Sequence, residues 1–432
     1  MHNENTGTNT PPLRLAAIGL GGRGRTYLGL AAARPDRYKV VAGADPDSAL
    51  VQSMAEVSGN PHFRGFRDDR AILAEPKLAD VMIISTQDAQ HREHAIAAME
   101  RGYDILLEKP IATTMEDVLA VESAAQRLNR KVLVCHVLRY APLYVKIKEI
   151  LDSGRIGRLI SMHALEGVGA FHHAHSYVRG NWADTAQSSP MILAKSCHDL
   201  DILYWLAGQP CRTVSSFGGL DYFNVKNAPE GAPERCHQGC PINQVCPYDS
   251  AHYADTQKRF LNVNAALERP GTDPKTILDW VGQSPWGRCV YRCDNDAVDH
   301  QVVNMEFEEG ITASLTMTAF ARGRSIELYG TAGVIRAGAF CKSNLGADIM
   351  VSDLDSFEGE RISVQTVEGG YESHGGADTG IVEALYREME HSDPAGMSTS
   401  IHGSVMSHMM AFAAEAARVE GRVRSISDFR TD

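Results

Sequence analysis

Basic residues are in deficit in this chain. Lys and Arg number 42 against 54 Asp and Glu, a formal net charge of −12 at pH 7, and no stretch gathers them into a patch. That balance argues against non-specific binding to nucleic acid or to an acidic membrane surface. Long apolar runs are missing too, since nothing approaches the roughly 18 uninterrupted residues that a spanning helix needs. Met1–Thr10 is polar and holds neither the apolar stretch of an export signal nor a twin arginine. Cysteine amounts to nine residues, an odd count in a chain without an export signal, which points to reduced thiols in a cytoplasm. Internal repeats are absent, as is low-complexity sequence beyond a polar tail at residues 1–12. What is present is 432 residues of which 44 % are hydrophobic, enough to fill the cores of two to three domains. The composition is that of a soluble, cytoplasmic, globular protein and suits an enzyme.

The most informative stretch is residues 13–45. Leu13–Ile18 has the length and flanks of a buried strand. Gly19, Gly21 and Gly24 follow as G-x-G-x-x-G, Thr26–Ala33 reads as a short helix, and Tyr38–Ala44 is a second strand ending on Asp45. Strand, glycine turn, helix, strand and acid together form the context that the dinucleotide fingerprint requires. Gly19 makes the tight turn, Gly21 lets the backbone approach a pyrophosphate, and Gly24 lets helix and strand pack closely. The helix N-terminus offers N–H groups and a positive dipole end to the phosphates. Asp45 lies 21 residues past Gly24, where an acid bonds a ribose 2′-hydroxyl. It would repel a 2′-phosphate, and Pro46-Asp47 offers no arginine to receive one. The expected cofactor is NAD, held by Gly19, Gly21, Gly22, Arg23, Gly24 and Asp45.

Strand and helix alternate from Leu13 to about His136, the pattern of a doubly wound parallel sheet. Helices are expected at 48–58, 90–101 and 115–128, with strands at 79–85, 103–107 and 131–136. Strand ends then fall at Gly19, Asp45, Thr86, Glu108 and His136, and ligands bind outside the carboxyl ends of such sheets. Past residue 137 the pattern changes. One helix at 144–153 and one strand at 159–165 precede an irregular stretch and a single helix at 192–207. Strands at 214–220, 301–307, 312–320, 324–329, 334–337 and 362–366 suit an antiparallel sheet with one covered face. Helices at 380–390 and 401–420 close the chain. The expected architecture is α/β: a Rossmann domain at 13–136, then an α+β domain at 137–432 with a large, open, mostly antiparallel sheet. A Cys-rich insertion occupies about 221–293.

Two stretches carry further chemistry. Residues 171–182, Phe-His-His-Ala-His-Ser-Tyr-Val-Arg-Gly-Asn-Trp, are the richest polar–aromatic run, suited to walling a polyol pocket or to packing as a structural loop. His175, Tyr177, Arg179 and Trp182 are its candidate substrate contacts. His374, ahead of Asp378, is another, with a helix cap by Asp378 as the plain alternative. Cys236, Cys240, Cys246, Cys289 and Cys293 are dense enough to hold zinc, although their spacings do not match two-residue knuckles. Buried free thiols and disulfides are the competing readings.

The ordered set Gly19–Gly24, Thr86-Gln87-Asp88-Ala89-Gln90-His91, Glu108-Lys109-Pro110, Arg139-Tyr140-Ala141-Pro142, Gly154–Gly157, His198-Asp199-Leu200-Asp201 and Tyr329-Gly330-Thr331-Ala332-Gly333 resembles the glucose–fructose oxidoreductase / inositol dehydrogenase (Gfo/Idh/MocA) family over nearly the whole chain. The resemblance implies chemistry at a secondary carbinol of a sugar or cyclitol. It implies homodimers or homotetramers built on the open sheet. It adds Thr86, His91, Glu108 and Lys109 to the cofactor residues and Tyr140 to the substrate residues. Lys109 would lie beside nicotinamide and substrate, and His198 would be the acid/base. Histidine suits that role, since a base must reach the hydroxyl proton and its ordinary pKa is about 6.5. The ammonium of Lys109 would stabilise the developing oxyanion. One departure stands out. The family usually carries an aspartate four residues before the histidine, and this chain has Ala194. Lys195, read on the same helix face as His198, would then favour neutral imidazole, with Asp201 orienting the ring. Three readings follow: an NAD-dependent dehydrogenase, an NAD-recycling glycosidase working by transient oxidation and elimination, and a non-catalytic NAD-binding regulator.

Overall fold

The computed structural model describes residues 11–255, 273–356, 358–365 and 375–430. The chain divides into two compact units. The first comprises Met1–Ile111, Leu119–Tyr140 and Glu368–Gly403, and the second Ala112–Val118, Ala141–Val367 and Ser404–Asp432.

The first unit is built on a six-stranded parallel sheet of β1 (Leu13–Ile18), β2 (Tyr38–Ala44), β3 (Arg64–Phe66), β4 (Val81–Ile84), β5 (Asp104–Leu107) and β6 (Val132–Val134), in the order β3-β2-β1-β4-β5-β6. All four residues of β4 and three of four in β5 are buried, as strands covered on both faces must be. The order reverses at β1 and β4, which pair Ile18 with Ile84, so a crevice opens at their carboxyl ends. The short β3 was not expected: three residues are too few for a periodic signal.

The sequence reading puts the domain boundary near residue 137. In the structure the first unit also takes back 368–403 from late in the chain. The helix Ala377–Glu390 packs on the helix Gly22–Ala32. Tyr38 donates its hydroxyl to the Val382 carbonyl (2.5 Å) and accepts the Tyr386 N–H (2.8 Å). A Cβ at Gly380 would lie 2.5 Å from the Tyr140 carbonyl oxygen, so helix and chain touch there. Such long-range docking leaves no trace in local periodicity.

The second unit holds a nine-stranded sheet. Its strands are β7 (Leu159–Val168), β8 (Cys211–Gly219), β9 (His300–Phe307), β10 (Thr312–Thr318), β11 (Arg322–Gly330), β12 (Val334–Gly338), β13 (Ile349–Ser352), β14 (Glu360–Ile362) and β15 (Arg424–Ser425). Their order is β14-β13-β12-β11-β7-β10-β9-β8-β15, with β7–β10 the parallel pair and the other pairs antiparallel. Alternating burial along β9 and β10 marks one covered face. β13 escaped the sequence reading, because its four buried residues form a run too short to separate from a helix. The single helix expected at 192–207 is two pieces, Met191–Ala194 and Cys197–Ala207. The described part of the insertion contains the helix Pro274–Gln283, capped by Asp273, and an isolated bridge between Arg235 and Arg288. Among the described residues, no helix is long and apolar enough to cross a membrane.

Candidate active site

The glycine turn has the geometry its sequence demands. Gly19 sits at φ +88°, where a Cβ would lie 2.6 Å from the Ser85 carbonyl oxygen. A Cβ at Gly24 would come within 2.2 Å of the Gly19 carbonyl oxygen. At Gly21 and Gly22 nothing lies within 4 Å of that position. The two outer glycines are therefore consumed by packing, and the middle pair leaves a cradle open for a pyrophosphate. The helix behind it starts without a side-chain cap and without an acid in its first turn, so its positive end is not spent on the protein itself. Asp45 accepts the Leu20 N–H at 2.7 Å through one oxygen and the Asp47 N–H at 2.9 Å through the other. Each oxygen keeps acceptor capacity for a ribose hydroxyl. These residues fit NAD.

Arg23 points elsewhere. Its guanidinium bonds Glu108 (2.7 Å) and grips Asp378 with both terminal nitrogens (3.0 and 2.7 Å). Tyr27 donates to the same Glu108 oxygen at 2.6 Å, and the other oxygen accepts the Lys109 N–H at 2.9 Å. Burial opposes charge on this cluster, yet the opposite charges win: Arg23 is raised and Glu108 lowered from their ordinary values. Glu108 thus ties the glycine-turn helix to the backbone of Lys109, whose peptide bond to Pro110 is cis. Lys109 itself stands two residues past the end of β5 and is half-buried. His91 is a strap, one ring nitrogen 2.7 Å from the Pro110 carbonyl and the other 3.2 Å from that of Thr86. The Thr86 hydroxyl meets His94 at 3.0 Å. The N-cap of the helix Ala377–Glu390 is Gly376 and not Asp378, which is buried as Arg23's partner. His374 lies outside the described residues. The Tyr140 hydroxyl turns to Thr399 (3.2 Å) and Glu388 (3.5 Å), and burial raises its pKa.

In the second unit, His198 and Asp201 are buried on the helix Cys197–Ala207. Lys195 is not on that helix. The helix ending at Ala194 is separated from the one beginning at Cys197 by Lys195 and Ser196, the latter at φ −91° and ψ 7°, so the continuous helix face expected from spacing is broken. A tertiary ion pair places Lys195 instead, with its ammonium 3.4 Å from Glu166 on β7. The second Glu166 oxygen lies 2.8 Å from the Nε of Arg324, which also bonds Asp199 at 2.7 Å. Burial, with Glu166 adding to it, pushes Asp199 up to about 6 against the pull of Arg324. Sequence reasoning missed Glu166 and Arg324. The available signal was period two: Glu166 shares a face with Met162 and Ala164, and Arg324 with Ile326 and Leu328, so both charges fall on the covered side.

The 171–182 stretch is engaged by the insertion. Arg179 is buried and donates to the carbonyls of Arg288 (2.7 Å) and Tyr248 (2.9 Å). His175 meets the Tyr253 hydroxyl at 3.0 Å and stacks on Trp286. Tyr177 packs against His173 and Trp182 beneath β7 and β10 residues Val168 and Met317. Burial holds His173 and His175 down at about 4, and His172 at about 3 with Lys195 adding to it. Zinc was one of three readings of the insertion's cysteines, beside free thiols and disulfides. Cys236, Cys240, Cys246, Cys289 and Cys293 are free, and among the described residues no three His, Cys, Asp or Glu side chains are grouped to hold a metal ion. The five thiols lie around or within the apolar cluster of Phe223, Tyr248 and Tyr291. Burial raises Cys246, Cys289 and Cys293, the last to about 11, which keeps them protonated.

Comparison with known proteins agrees with this fold. The oxidoreductase-family model for the NAD-binding Rossmann fold matches residues 13–136, and that for the C-terminal alpha/beta domain matches 148–418. YteT of Bacillus subtilis (strain 168) is 26 % identical over 83 % of this chain and 81 % of its own. Inositol 2-dehydrogenase 2 of Saccharopolyspora erythraea is 28 % identical over 47 % of this chain and 56 % of its own. Among solved structures, an oxidoreductase from Agrobacterium radiobacter in complex with NAD+, L-tartaric acid and magnesium shares the fold, with a TM-score of 0.69 at 15 % identity over 98 % of this chain and 100 % of that one. With both family models matched in order, the chain belongs to the Gfo/Idh/MocA oxidoreductase family and carries its NAD-binding Rossmann domain.

Proposed function

We propose that this oxidoreductase is an NAD-dependent dehydrogenase that oxidises a secondary hydroxyl of a sugar, glycoside or cyclitol. The observation that carries the reading is Lys109: it leaves the carboxyl end of β5 in the row of strand ends that holds the glycine turn and Asp45, and Glu108 fixes its backbone. The inositol dehydrogenases among its relatives support the substrate class. Bound NAD supplies the hydride acceptor. The glycine cradle holds the pyrophosphate, and Asp45 orients the ribose. His198 takes the hydroxyl proton as the carbinol becomes a carbonyl, while the ammonium of Lys109 stabilises the oxygen on which charge develops. Lys195, paired with Glu166, is the second cation assigned to the proton transfer.

The test is a screen of cyclitols, sugars and glycosides with purified protein and NAD, followed by absorbance of reduced nicotinamide. Stoichiometric NADH with one of them, abolished in Lys109→Met, is the expected result. Turnover of a glycoside without net NADH would replace this reading by elimination, and NAD binding with no change in any polyol would leave a regulator.

A further inference from the structure

Resting on the assignment of Lys195 and His198 to the reaction, we propose that Glu166 is the positioning residue of this chemistry, holding Lys195 charged and in place within the second unit. Position 194 is alanine and provides no carboxylate, and the helix break at Lys195 means that helical spacing does not aim its side chain. Glu166 does. It projects from β7 with its side chain 3 % exposed, and its oxygen lies 3.4 Å from a lysine whose own side chain is 16 % exposed. An ammonium this deep loses its proton readily unless a carboxylate compensates.

Two carboxylates are near, and the geometry divides their work. Arg324 stands directly opposite Glu166 in the antiparallel β7–β11 register. Its Nε lies 2.7 Å from Asp199 and 2.8 Å from Glu166, and a terminal nitrogen reaches Asp199 again at 3.4 Å, so the guanidinium engages Asp199 with two nitrogens and Glu166 with one, while Glu166 reaches on to Lys195. The four groups, two cations and two anions, are neutral together. His172 adds no counter-charge, since burial and the lysine keep its ring neutral. Lys195 therefore has Glu166 from β7 before it, Arg324 from β11 and Asp199 from the His198 helix behind that carboxylate, and His172 from the Ala170–His173 turn.

The experiment uses full-length, NAD-saturated protein carrying lysine labelled with ¹³C at Cε. The Lys195 resonance, assigned by its loss in K195R, is followed with pH in the parent protein, E166Q, E166D and D199N. Removing the carboxylate moves the Lys195 titration to lower pH by at least one unit, tenfold in proton affinity. E166D restores part of the shift, and D199N, which leaves Glu166 in place, moves it less than E166Q. A Lys195 titration unchanged in E166Q, or moved as far by D199N, overturns the proposal. If E166Q does not fold, E166M, which also removes the carboxylate, carries the test, and a titration unchanged there has the same force. Turnover of K195M on the polyol oxidised in the screen is read separately. Undiminished turnover removes Lys195 from the reaction, whereas the resonance alone judges whether Glu166 holds it.

Discussion

At the scale of single residues, the histidines of the 171–182 stretch have the clearest consequence. His173 is fully buried, its Nε2 lies 3.1 Å from the Val298 carbonyl, and its ring stacks on Phe223. Folded, it resists protonation down to about pH 4, whereas the unfolded chain takes up its proton near the ordinary value of 6.5. The unfolded state thus binds more protons between those limits, so stability falls as pH drops from about 6.5 to about 4. For His173 alone the loss approaches roughly 3 kcal/mol at the acid end. His172 and His175 have the same sign. Asp199, raised to about 6, works in the opposite sense, but it is one carboxyl against three imidazoles. Denaturant melts at pH 7 and pH 4.5 should show the drop, and His173→Phe, which keeps an aromatic ring against Phe223, should flatten it. An equal slope in the variant would contradict this assignment.

Among the elements, the glycine-turn helix bears two loads. Its first turn faces the cofactor cradle, while Arg23 reaches back to Glu108 and to Asp378 on the returning helix Ala377–Glu390. Asp378→Asn removes half of a bidentate pair whose carboxylate is 1 % exposed, and should cost about 3 kcal/mol of stability. It should also weaken NAD binding, through the glycine turn, without touching the cofactor. Calorimetric titration with NAD beside a thermal melt checks both, and an unchanged melt would show that the pair is idle. The same element shows what a sequence discloses. The turn and its two strands were legible because their constraints lie within about 30 residues, the span of one strand–helix–strand unit. The partner of Arg23 was not, being 355 positions away. β2, the helix Met115–Leu128 and the helix Ile401–Glu420 have the bounds their periodicity implies. The break before His198 stayed hidden, because residues 192–207 hold no glycine or proline to mark it, and the ion pairs of Lys195 with Glu166 and of Asp199 with Arg324 come from distant strands.

For the whole molecule, the glycine turn and its acid in the first unit were readable, whereas Arg23, read as a cofactor contact, pairs with Glu108 and Asp378, and the ion pairs around Lys195 in the second unit left no signal that was read. Gly19, Gly24 and Asp45 announce themselves because backbone geometry admits few alternatives there. Tyr177 and Arg179 look like polyol ligands in a sequence, yet a packed insertion uses the same aromatic and hydrogen-bonding chemistry to hold itself together. The returning segment 368–403 likewise belongs to the first unit for reasons that only tertiary contact reveals. Under the proposed function, hydride passes directly from a carbinol carbon to bound NAD. That transfer is tested most directly with a polyol deuterated at its carbinol carbons, by mass spectrometry of the cofactor after turnover. One deuterium in each reduced nicotinamide, in step with each carbonyl formed, is the expected result. Product formed with the cofactor unlabelled and still oxidised would contradict it.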